Sequence, residues 1–587
     1  MITALALAVP TLLPVPSDDP LVITHDFAED PGVVTETAGP GSLRGNGQKR
    51  DGVGAKVADG ELIVIDPWWK LDTTAALPAP TDEGARRLEA RFTLTVSPGL
   101  EGVGFAWLDV AEHGTEGPAG MPAPSPECRV EVEHEDGTTT AHGGWEAPNL
   151  AGSLGIGFDA RNPWTSEPFR GSGNIHHRPE HEVSIHWDGV ERFKATTETD
   201  FRDEEPREVH LIVDYVPGGA FVDLTLGGEQ VFDRWFLAGA EPYAGRAAFG
   251  GRNAETAGWA TVDDLELTLA DRFDVTGGPG FPAPDRFVAI DRQLNDQNAH
   301  TTTGTASLPD DLSGYERILL TLRLDEPDAG FDPWDRLAHV YVADERLGEV
   351  EVLRYITPYD KGGVWTLDVT DLKPVLTGER AFTQRCSTYG EGWLVTVELA
   401  MYPRPEGLAA GPEPYRLERL WEGQCVIGDP ERPPAAFFQP ARVAIDAHTV
   451  AARVNTVVTG HGMSPNSDNA AEFMPLWRTL TVDGVAARDE LWKTDNYLNP
   501  CRPQGGTWKY DRAGWAPGDV VPPWSVDCVP LGDELLVTYA LAPYVNENRG
   551  QTWDPFHQVT SYAVLYRDPA GTTASSEPAV GDGAAAE

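Results

Sequence analysis

Basic residues are scarce in this sequence. Lysine and arginine total 45 against 92 aspartate and glutamate residues, which gives a formal net charge of −47 over 587 residues. A field of this sign repels DNA, RNA and anionic lipid, so nucleic acid is not expected as a partner. The simplest consequence of the charge is an acidic, well-solvated surface, which identifies no substrate.

Long apolar runs are also absent. No stretch of about 18 or more uninterrupted apolar residues occurs, so no membrane-spanning helix is predicted. Residues 1–19 combine an apolar core with an Ala-Leu-Ala step but contain no basic residue. This pattern fits a secretory signal whose basic start is missing, or the apolar end of a protein that is not exported. We expect a secreted or periplasmic protein.

Cysteine is rare and shows no metal-binding spacing. The five cysteines are Cys128, Cys386, Cys425, Cys501 and Cys528, with no CxxC pair or Cys/His pattern among them, so a structural zinc site is not expected. Cys501 and Cys528 could pair in an oxidising compartment. Because the count is odd, at least one thiol stays unpaired within the monomer.

Several catalytic motifs are missing. The sequence contains no GxxxxGK[ST] loop, no GxGxxG after a strand, no GxSxG elbow and no HExxH helix. Nucleotide binding, serine hydrolysis of the nucleophile-elbow class and zincin chemistry therefore lack support. We expect no cofactor and no metal, and we look for chemistry among carboxylates, histidines and arginines.

Turn-forming and aromatic residues are abundant. Gly 61 and Pro 49 stand beside Trp 18, Phe 20 and Tyr 15, a composition typical of short strands separated by turns. Apolar and polar residues alternate in segments such as 210–215, which places one face of a strand on a core. No long amphipathic helix is evident. The sequence predicts an all-β protein built from antiparallel sandwiches.

The length predicts two to four domains. A Gly/Pro-rich run at 277–285 and a Pro-rich interval at 428–440 separate three β units, and the last residues are small and polar. The predicted divisions are a signal segment (1–19), a first sandwich (20–271), a linker (272–285), a second β unit (286–427), a third β unit (428–568) and a disordered tail (569–587).

Histidines cluster before one strand of the first unit, at His176, His177, His181 and His186. The favoured interpretation is a His-containing loop that leads into a strand. A metal cluster and a carbohydrate-contacting loop are the alternatives, and spacing alone does not decide between them.

Two candidate sites combine acids with basic residues. Asp335 lies between Trp334 and Arg336 where a loop enters a strand, an arrangement that serves either a structural ion pair or a reaction site. His461 lies in a Gly-flanked segment that is followed by Glu472.

A third candidate segment, residues 503–515, is rich in glycine and aromatic residues. It contains Trp508, Arg512 and Trp515. Indole faces cover the C–H surfaces of sugars, and arginine donates hydrogen bonds to hydroxyls and amides. The segment is therefore suited to form the wall of a sugar-binding site.

Residues 286–568 resemble the peptide-N-glycosidase F family, whose members cleave asparagine-linked glycans from glycoproteins. The resemblance rests on several segments that occur in the family's order: GTASLPDDL, PWDRLAHVYV, RYITPY, LDVTDLKPVLTG, TGHG, AAEF and GTWKYDRAGW. It implies two jelly-roll-like β-sandwiches, 286–427 and 428–568, with the active site between them, as in the related peptidylglycine monooxygenase fold.

The resemblance also implies roles for individual residues. Asp335 takes the place of the principal catalytic aspartate, and Glu472 that of the second essential acid. Arg512 matches the family arginine of the Asp-Arg-Ala-Gly-Trp motif. His461 matches the Gly-flanked histidine, and Trp334 takes the place of a sugar-contacting aromatic.

Some family positions differ here. Ser387 stands where the family has a third glutamate, and Tyr389 stands for the tryptophan two residues later. Glu391 is near in sequence but would need a shifted loop to replace that glutamate. Three family disulfide positions hold Ala470, Met474 and Ala516.

The first unit resembles concanavalin A-like and laminin-G-like sandwiches, on its strand order and its closing segment TVDDLELTLA. The resemblance implies a carbohydrate-binding module, and no sugar-binding residue is carried over. Such a module would raise the local concentration of a glycoprotein substrate.

The expected function is an exported amidase that hydrolyses the bond between asparagine and GlcNAc in N-glycosylated proteins or glycopeptides. Asp335 would activate or align water, and Arg336 or Arg512 would stabilise the oxyanion and hold the carboxylates. Glu472 would position the sugar or relay a proton. Two alternatives remain. One is a glycan-binding protein with impaired catalysis, and the other is a copper-dependent monooxygenase of the related fold.

Overall fold

The computed structural model describes residues 19–42, 50, 52–125, 128–133, 138–160, 181–254, 256–277, 280–462, 471–546 and 554–569. Within these ranges the protein consists of β-sheets with very little helix, so the predicted all-β class is confirmed. Residues 1–18 of the predicted signal segment (1–19) and residues 570–587 of the predicted tail (569–587) lie outside the described residues. In the described part, no helix has the length and apolar character needed to cross a bilayer.

The first sandwich consists of an eight-stranded and a seven-stranded sheet. The eight-stranded sheet contains β1 (Leu21–His25), β3 (Lys56–Ala58), β4 (Glu61–Ile65), β6 (Gly84–Val96), β13 (Arg207–Val216), β14 (Gly219–Leu226), β15 (Glu229–Ala238) and β17 (Ala260–Phe273). The seven-stranded sheet contains β2 (Val34–Ala38), β5 (Asp72–Ala76), β7 (Gly102–Asp109), β10 (Leu154–Asp159), β11 (Glu182–Trp187), β12 (Val190–Thr196) and β16 (Gly245–Arg252). Their facing sides enclose one large apolar core, as the concanavalin A-like prediction requires.

The outer face of the seven-stranded sheet is covered by the chain itself. Residues 119–121 and 145–150 lie across it, and Trp145 is completely buried. The hairpin of β8 (Val130–Glu133) and β9 (Thr139–His142) lies between these two stretches in the chain. A Cβ atom at Gly250 would lie 2.2 Å from the Trp145 ring, and one at Gly157 would lie 2.0 Å from the backbone oxygen of Glu146. Glycine in these strands therefore lets the covering segment pack directly on the sheet.

The second sandwich has a four-stranded and a five-stranded sheet. The four-stranded sheet contains β18 (Asp285–Asn295), β20 (Tyr315–Asp325), β23 (Gly363–Asp368) and β25 (Trp393–Pro403). The five-stranded sheet contains β19 (Thr301–Ser307), β21 (Leu337–Asp344), β22 (Gly348–Ile356), β24 (Glu379–Cys386) and β31 (Asp519–Val520). Strand β31 comes late in the chain, among the strands of the third sandwich, but it pairs with β22 and so belongs to the second sandwich.

The third sandwich has two four-stranded antiparallel sheets. The first contains β26 (Glu413–Val426), β28 (Thr449–His461), β32 (Trp524–Cys528) and β34 (Phe556–Arg567). The second contains β27 (Ala441–Ala444), β29 (Leu476–Val482), β30 (Val485–Leu491) and β33 (Glu534–Leu541). The described helices are short: α1 (Val110–His113), α2 (Pro434–Phe437), and the 3₁₀ turns Pro40–Ser42, Val275–Gly277, Thr370–Val375 and Asn496–Leu498. The predicted domain bounds remain a prediction.

The suggested pairing of Cys501 with Cys528 is wrong, because all five cysteines are free thiols. The Cys501 sulfur lies 3.8 Å from the Gly362 carbonyl in the core of the second sandwich, whereas Cys528 lies in β32 opposite Ala452. The two side chains are thus held in separate cores.

A buried ionic network joins the second sandwich to the third. Arg354 of β22 forms two hydrogen bonds with Glu351, at 2.9 and 2.7 Å, and donates to the Gln558 carbonyl of β34 at 2.6 Å. His339 of β21 contacts the same glutamate at 2.6 Å. Burial opposes ionisation of Glu351, but Arg354 and His339 outweigh it and hold its pKa well below the usual range. This network links β22 of the second sandwich to β34 of the third.

Candidate functional site

The structure brings together three side chains from segments far apart in the chain. Asp335 lies in the loop before β21, Glu472 in the loop before β29, and Arg512 in the long segment between β30 and β31. Arg512 Nη2 lies 3.8 Å from Asp335 Oδ2, and Arg512 Nε lies 3.2 Å from Glu472 Oε1. The arginine side chain is only 1% exposed, while the two acids keep 18% and 19% exposure. The carboxylates therefore face solvent across a buried guanidinium.

The hydrogen bonds of Arg512 account for its donors. Of its five N–H groups, Nε donates to Glu472, and Nη1 donates to the carbonyls of Thr507 and Tyr510 at 2.9 and 3.0 Å. Nη2 donates to Thr507 Oγ1 at 2.8 Å and also faces Asp335. Because every donor has a protein acceptor or a facing carboxylate, Arg512 has none to spare for a substrate oxygen. Its geometry suits it to hold the two acids in place.

Aromatic packing fixes the arginine further. The guanidinium carbon lies 4.7 Å from the Trp515 ring centroid and 5.2 Å from that of Phe473. Trp515 is buried, and its indole N–H donates to the Gly460 carbonyl at 2.7 Å. The sequence predicted that Trp515 contacts a sugar. In the structure it packs beneath Arg512 and offers no open ring face to a sugar.

Glu472 has an unusual ionisation state. Burial raises the pKa of Glu472, and the nearby Asp335 carboxylate raises it further, whereas the Arg512 charge lowers it. Burial is the largest effect, and the pKa rises from 4.5 to about 7. Near neutral pH this group is therefore divided between its acid and its base form. Such a carboxyl can either deliver or accept a proton under the same conditions.

Tyr359 is a site residue to which the sequence reasoning gave no role, although it ends the segment RYITPY. Its hydroxyl forms a 3.1 Å hydrogen bond with Thr507 Oγ1 and faces Asp335. Burial and the Asp335 charge raise its pKa, so it remains a neutral donor. Strand pairing explains why Tyr359 reaches the site. Leu337, the first residue of β21, pairs with Ile356, the last residue of β22, so the loops that carry Asp335 and Tyr359 meet at one edge of the sheet.

The loop that carries Asp335 is held by two polar anchors. Thr357 Oγ1 donates to the Trp334 carbonyl at 3.1 Å and accepts from the Arg336 amide at 2.8 Å. The buried Asp332 accepts from the Trp334 amide at 2.9 Å and from the Thr388 hydroxyl, and it lies 3.5 Å from Arg336 Nε. These contacts position the acid and join its loop to the neighbouring loop 387–392.

Trp334 and Tyr389 form an exposed aromatic rim beside this loop. Trp334 is 58% and Tyr389 is 80% exposed, and Arg336 lies over the Tyr389 ring at 5.6 Å. Such faces suit the stacking of a sugar, as the sequence predicted. Trp508, by contrast, is buried against Tyr359 and Tyr497, so the prediction that it contacts substrate conflicts with its position.

His461 lies behind the candidate site. Its Nε2 is 2.7 Å from Thr459 Oγ1, and its ring stacks on Trp515 at 5.4 Å. Burial, followed by the charge of Arg354, holds the pKa of His461 well below its usual value, so the ring is neutral. Its contacts support the third sandwich next to the site.

The loop that departs from the family pattern is open to solvent. Ser387 and Glu391 are both exposed, and within the described part of the chain Glu391 has no hydrogen bond or ion pair. The replacements Met474 and Ala516 are described, whereas Ala470 lies outside the described residues.

The histidine cluster of the first sandwich is only partly described, because His176 and His177 lie outside the described residues. His186 is fully buried, with its ring nitrogens 2.7 Å from Ser184 Oγ and 2.8 Å from Asn149 Oδ1. It is a satisfied core residue. Within the ranges that the structure describes, no three His, Cys, Asp or Glu side chains group as metal ligands would.

Comparison with known proteins supports the predicted family resemblance. Residues 434–552 match the family described as peptide-N-glycosidase F, C terminal. The chain is 25% identical over 299 residues to peptide-N(4)-(N-acetyl-beta-D-glucosaminyl)asparagine amidase F of Elizabethkingia miricola, which covers 47% of this chain and 82% of that protein. The resemblance of the second half of this chain to the peptide-N-glycosidase F family is thus confirmed.

Two solved structures match parts of the chain. The structure of PNGase F, a glycosylasparaginase from Flavobacterium meningosepticum, covers 49% of this chain and 97% of that one, with 22% identity and a TM-score of 0.43. The exoplasmic/lumenal domain of VIP36, solved bound to Ca²⁺ and Man3GlcNAc, covers 42% of this chain and 90% of that one, with 13% identity and a TM-score of 0.27.

Proposed function

We propose that this protein is an amidase that hydrolyses the bond between an asparagine side chain and the first GlcNAc of an N-linked glycan. The products are a free glycosylamine and a peptide in which aspartate replaces asparagine. The observation that carries the proposal is the pair of mostly buried acids, Asp335 and Glu472, held on one buried arginine beside an exposed aromatic rim.

The two acids differ in the way that amide hydrolysis requires. A resonance-stabilised amide needs a base for the attacking water, donors for the oxyanion and a proton for the leaving nitrogen. Asp335 takes the proton of the water whose oxygen attacks the asparagine carbonyl carbon. Glu472, with a pKa of about 7, then donates its proton to the nitrogen as the C–N bond breaks.

Arg336 and Tyr359 are better placed than Arg512 to stabilise the oxyanion. The N–H groups of Arg512 already donate hydrogen bonds to protein groups. Arg336 keeps 21% of its side chain exposed next to the acid loop, and the hydroxyl of Tyr359 faces Asp335. Arg512 acts on the reaction by fixing the separation of the two acids.

A second function, glycan binding with impaired catalysis, is favoured by one observation. Ser387 is exposed on the loop beside Tyr389, where the resembling family has a glutamate, so this rim has lost one carboxylate. The aromatic rim needed to bind sugar is kept, because Trp334 and Tyr389 remain exposed.

The test is release of N-glycans from a denatured glycoprotein, followed by gel mobility and by mass spectrometry of the peptide for conversion of Asn to Asp. We expect release by the wild type, and none by Asp335→Asn or Glu472→Gln. Glu391→Gln, which removes an exposed carboxylate, serves as the matched control and should act at the wild-type rate. Deglycosylation by Asp335→Asn at the wild-type rate would contradict the proposal, and a wild type that binds glycans without cleaving them would favour the second function.

A further inference from the structure

One buried ion pair connects the first sandwich to the segment that carries Arg512. Glu182 is the first residue of β11, which lies next to the edge strand β12 in the seven-stranded sheet. Arg502 lies 320 residues further along the chain. Arg502 Nη2 donates to Glu182 Oε2 at 3.1 Å, and their side chains are only 5% and 2% exposed. Since a buried charge without its partner is costly, this pair fixes where the two segments meet.

The segment 495–518 is cross-linked internally, so a fixed point on it is transmitted along its length. Asn496 Nδ2 donates to the carbonyls of Tyr510 and Trp515, the residues on either side of the Arg512 turn. Gln504 donates to the Pro517 carbonyl at 2.9 Å and accepts from the Tyr359 amide at 3.0 Å. A shift at Arg502 therefore moves the segment that holds Arg512.

The same segment touches the first sandwich at the turn Asn496–Leu498, which packs against β12. Arg502 Nη1 also lies 3.4 Å from the Tyr497 carbonyl, and Tyr497 packs on Tyr359 and Trp508. The ion pair thus stands directly behind the aromatic cluster that backs the candidate site.

We propose that the first sandwich is a positioning element for the candidate active site, in which Glu182, through Arg502, fixes the segment 495–518 and thereby the place of Arg512 between the two acids. Glu182 and Arg502 are positioning residues, because they act through other side chains. The effect on turnover rests on the amidase function proposed above, whereas the effect on the order of the segment does not.

A second contact between the sandwiches supplies a matched control. Phe236 of β15 packs on Arg317 of the second sandwich, with the guanidinium 4.3 Å from its ring, on the sheet that carries β20. Phe236→Leu loosens a contact of the first sandwich with the second without touching the segment 495–518. Glu182→Gln instead removes one charge and keeps the side-chain size.

The experiment uses the full chain with Glu182→Gln, Phe236→Leu and the double variant Glu182→Gln/Arg502→Gln. Hydrogen-exchange mass spectrometry measures protection of residues 495–515, and deglycosylation kinetics give kcat and KM. We expect Glu182→Gln to speed exchange in this segment and to lower kcat about tenfold with KM nearly unchanged, because small displacements of catalytic groups are costly. Phe236→Leu should change neither, and the double variant should recover part of both losses.

Unchanged exchange at 495–515 in Glu182→Gln overturns the inference, as does an equal effect of Phe236→Leu. An inactive wild type refutes the amidase function alone, because the exchange measurement still decides whether the pair orders the segment. If Glu182→Gln does not fold, Glu182→Asp, which keeps the charge but withdraws it by one methylene, takes its place with the same expectations.

Discussion

Replacing Glu472 by glutamine should stabilise the protein more at pH 8 than at pH 5. In the folded protein the pKa of Glu472 is raised from 4.5 to about 7, so the fold binds this proton more tightly than the unfolded chain does. Ionisation of Glu472 therefore opposes folding. The opposition is absent below pH 4.5, develops as the pH rises through this interval, and is complete above pH 7.

The size of the effect follows from these two pKa values. The full difference corresponds to about 3 kcal/mol, of which about 2 kcal/mol develops between pH 5 and pH 8. Glutamine cannot ionise, so the free energy of unfolding of Glu472→Gln, relative to wild type, should rise by this amount over the same range. The exposed Glu391→Gln variant should show no such dependence and controls for the loss of one negative charge.

The assay should report on the third sandwich, because a chain of several domains need not unfold in one step. Urea-dependent hydrogen exchange of β28 and β34 at both pH values gives the free energy of opening for this unit. A difference between variant and wild type that is the same at pH 5 and pH 8, or larger at pH 5, would refute the reasoning. The rate of glycan release by the wild type should also fall as the pH rises above about 7, because the acid form of Glu472 is lost.

Three further predictions concern packing and contacts. Glu351→Gln leaves Arg354 charged in a fully buried place and should cost about 3–5 kcal/mol of unfolding free energy in urea denaturation. Glu349→Gln, which breaks the half-exposed ion pair with Arg385, should change it little. Tyr389→Ala should raise KM for glycopeptide without lowering the melting temperature, while the buried Trp508→Ala should destabilise by about 3–5 kcal/mol; a melting temperature lowered by the first variant would contradict this assignment. Arg512→Lys keeps the charge but loses the planar fork of donors, so kcat should fall by about a hundredfold, and steady-state kinetics near the wild-type rate would show that the clamp is not needed.

The sequence could predict the two acids and an arginine that holds them, but not the contacts that fix this arginine. Asp335, Glu472 and Arg512 lie in short segments whose order carries the family resemblance, and the structure brings them together. Tyr359 lacked a sequence signal of its own, because its role depends on two strand ends meeting. The pairing of Glu182 with Arg502, 320 residues apart, is set by packing between sandwiches, which no local pattern encodes.

Burial separates the tryptophans that can contact a sugar from those that cannot. A Gly- and Trp-rich segment predicts a sugar-binding wall equally well whether its indoles point outward or inward. Trp334 is exposed, whereas Trp508 and Trp515 fill the space behind Tyr359 and Arg512. The segment 503–515 therefore needs its tryptophans to build a rigid support, and the rim comes from Trp334 and from Tyr389 on another loop.

The outer face of the seven-stranded sheet is covered in the first sandwich. Glycines in β10 and β16 leave no room for a side chain, and Trp145 with its neighbours occupies the space above them. A carbohydrate would reach this part of the face only if residues 145–150 moved away. What the sheet presents instead is its β11–β12 end, where Glu182 meets Arg502 behind the candidate site. The role proposed above for the first sandwich, ordering the segment that carries Arg512, does not depend on sugar binding elsewhere on its surface.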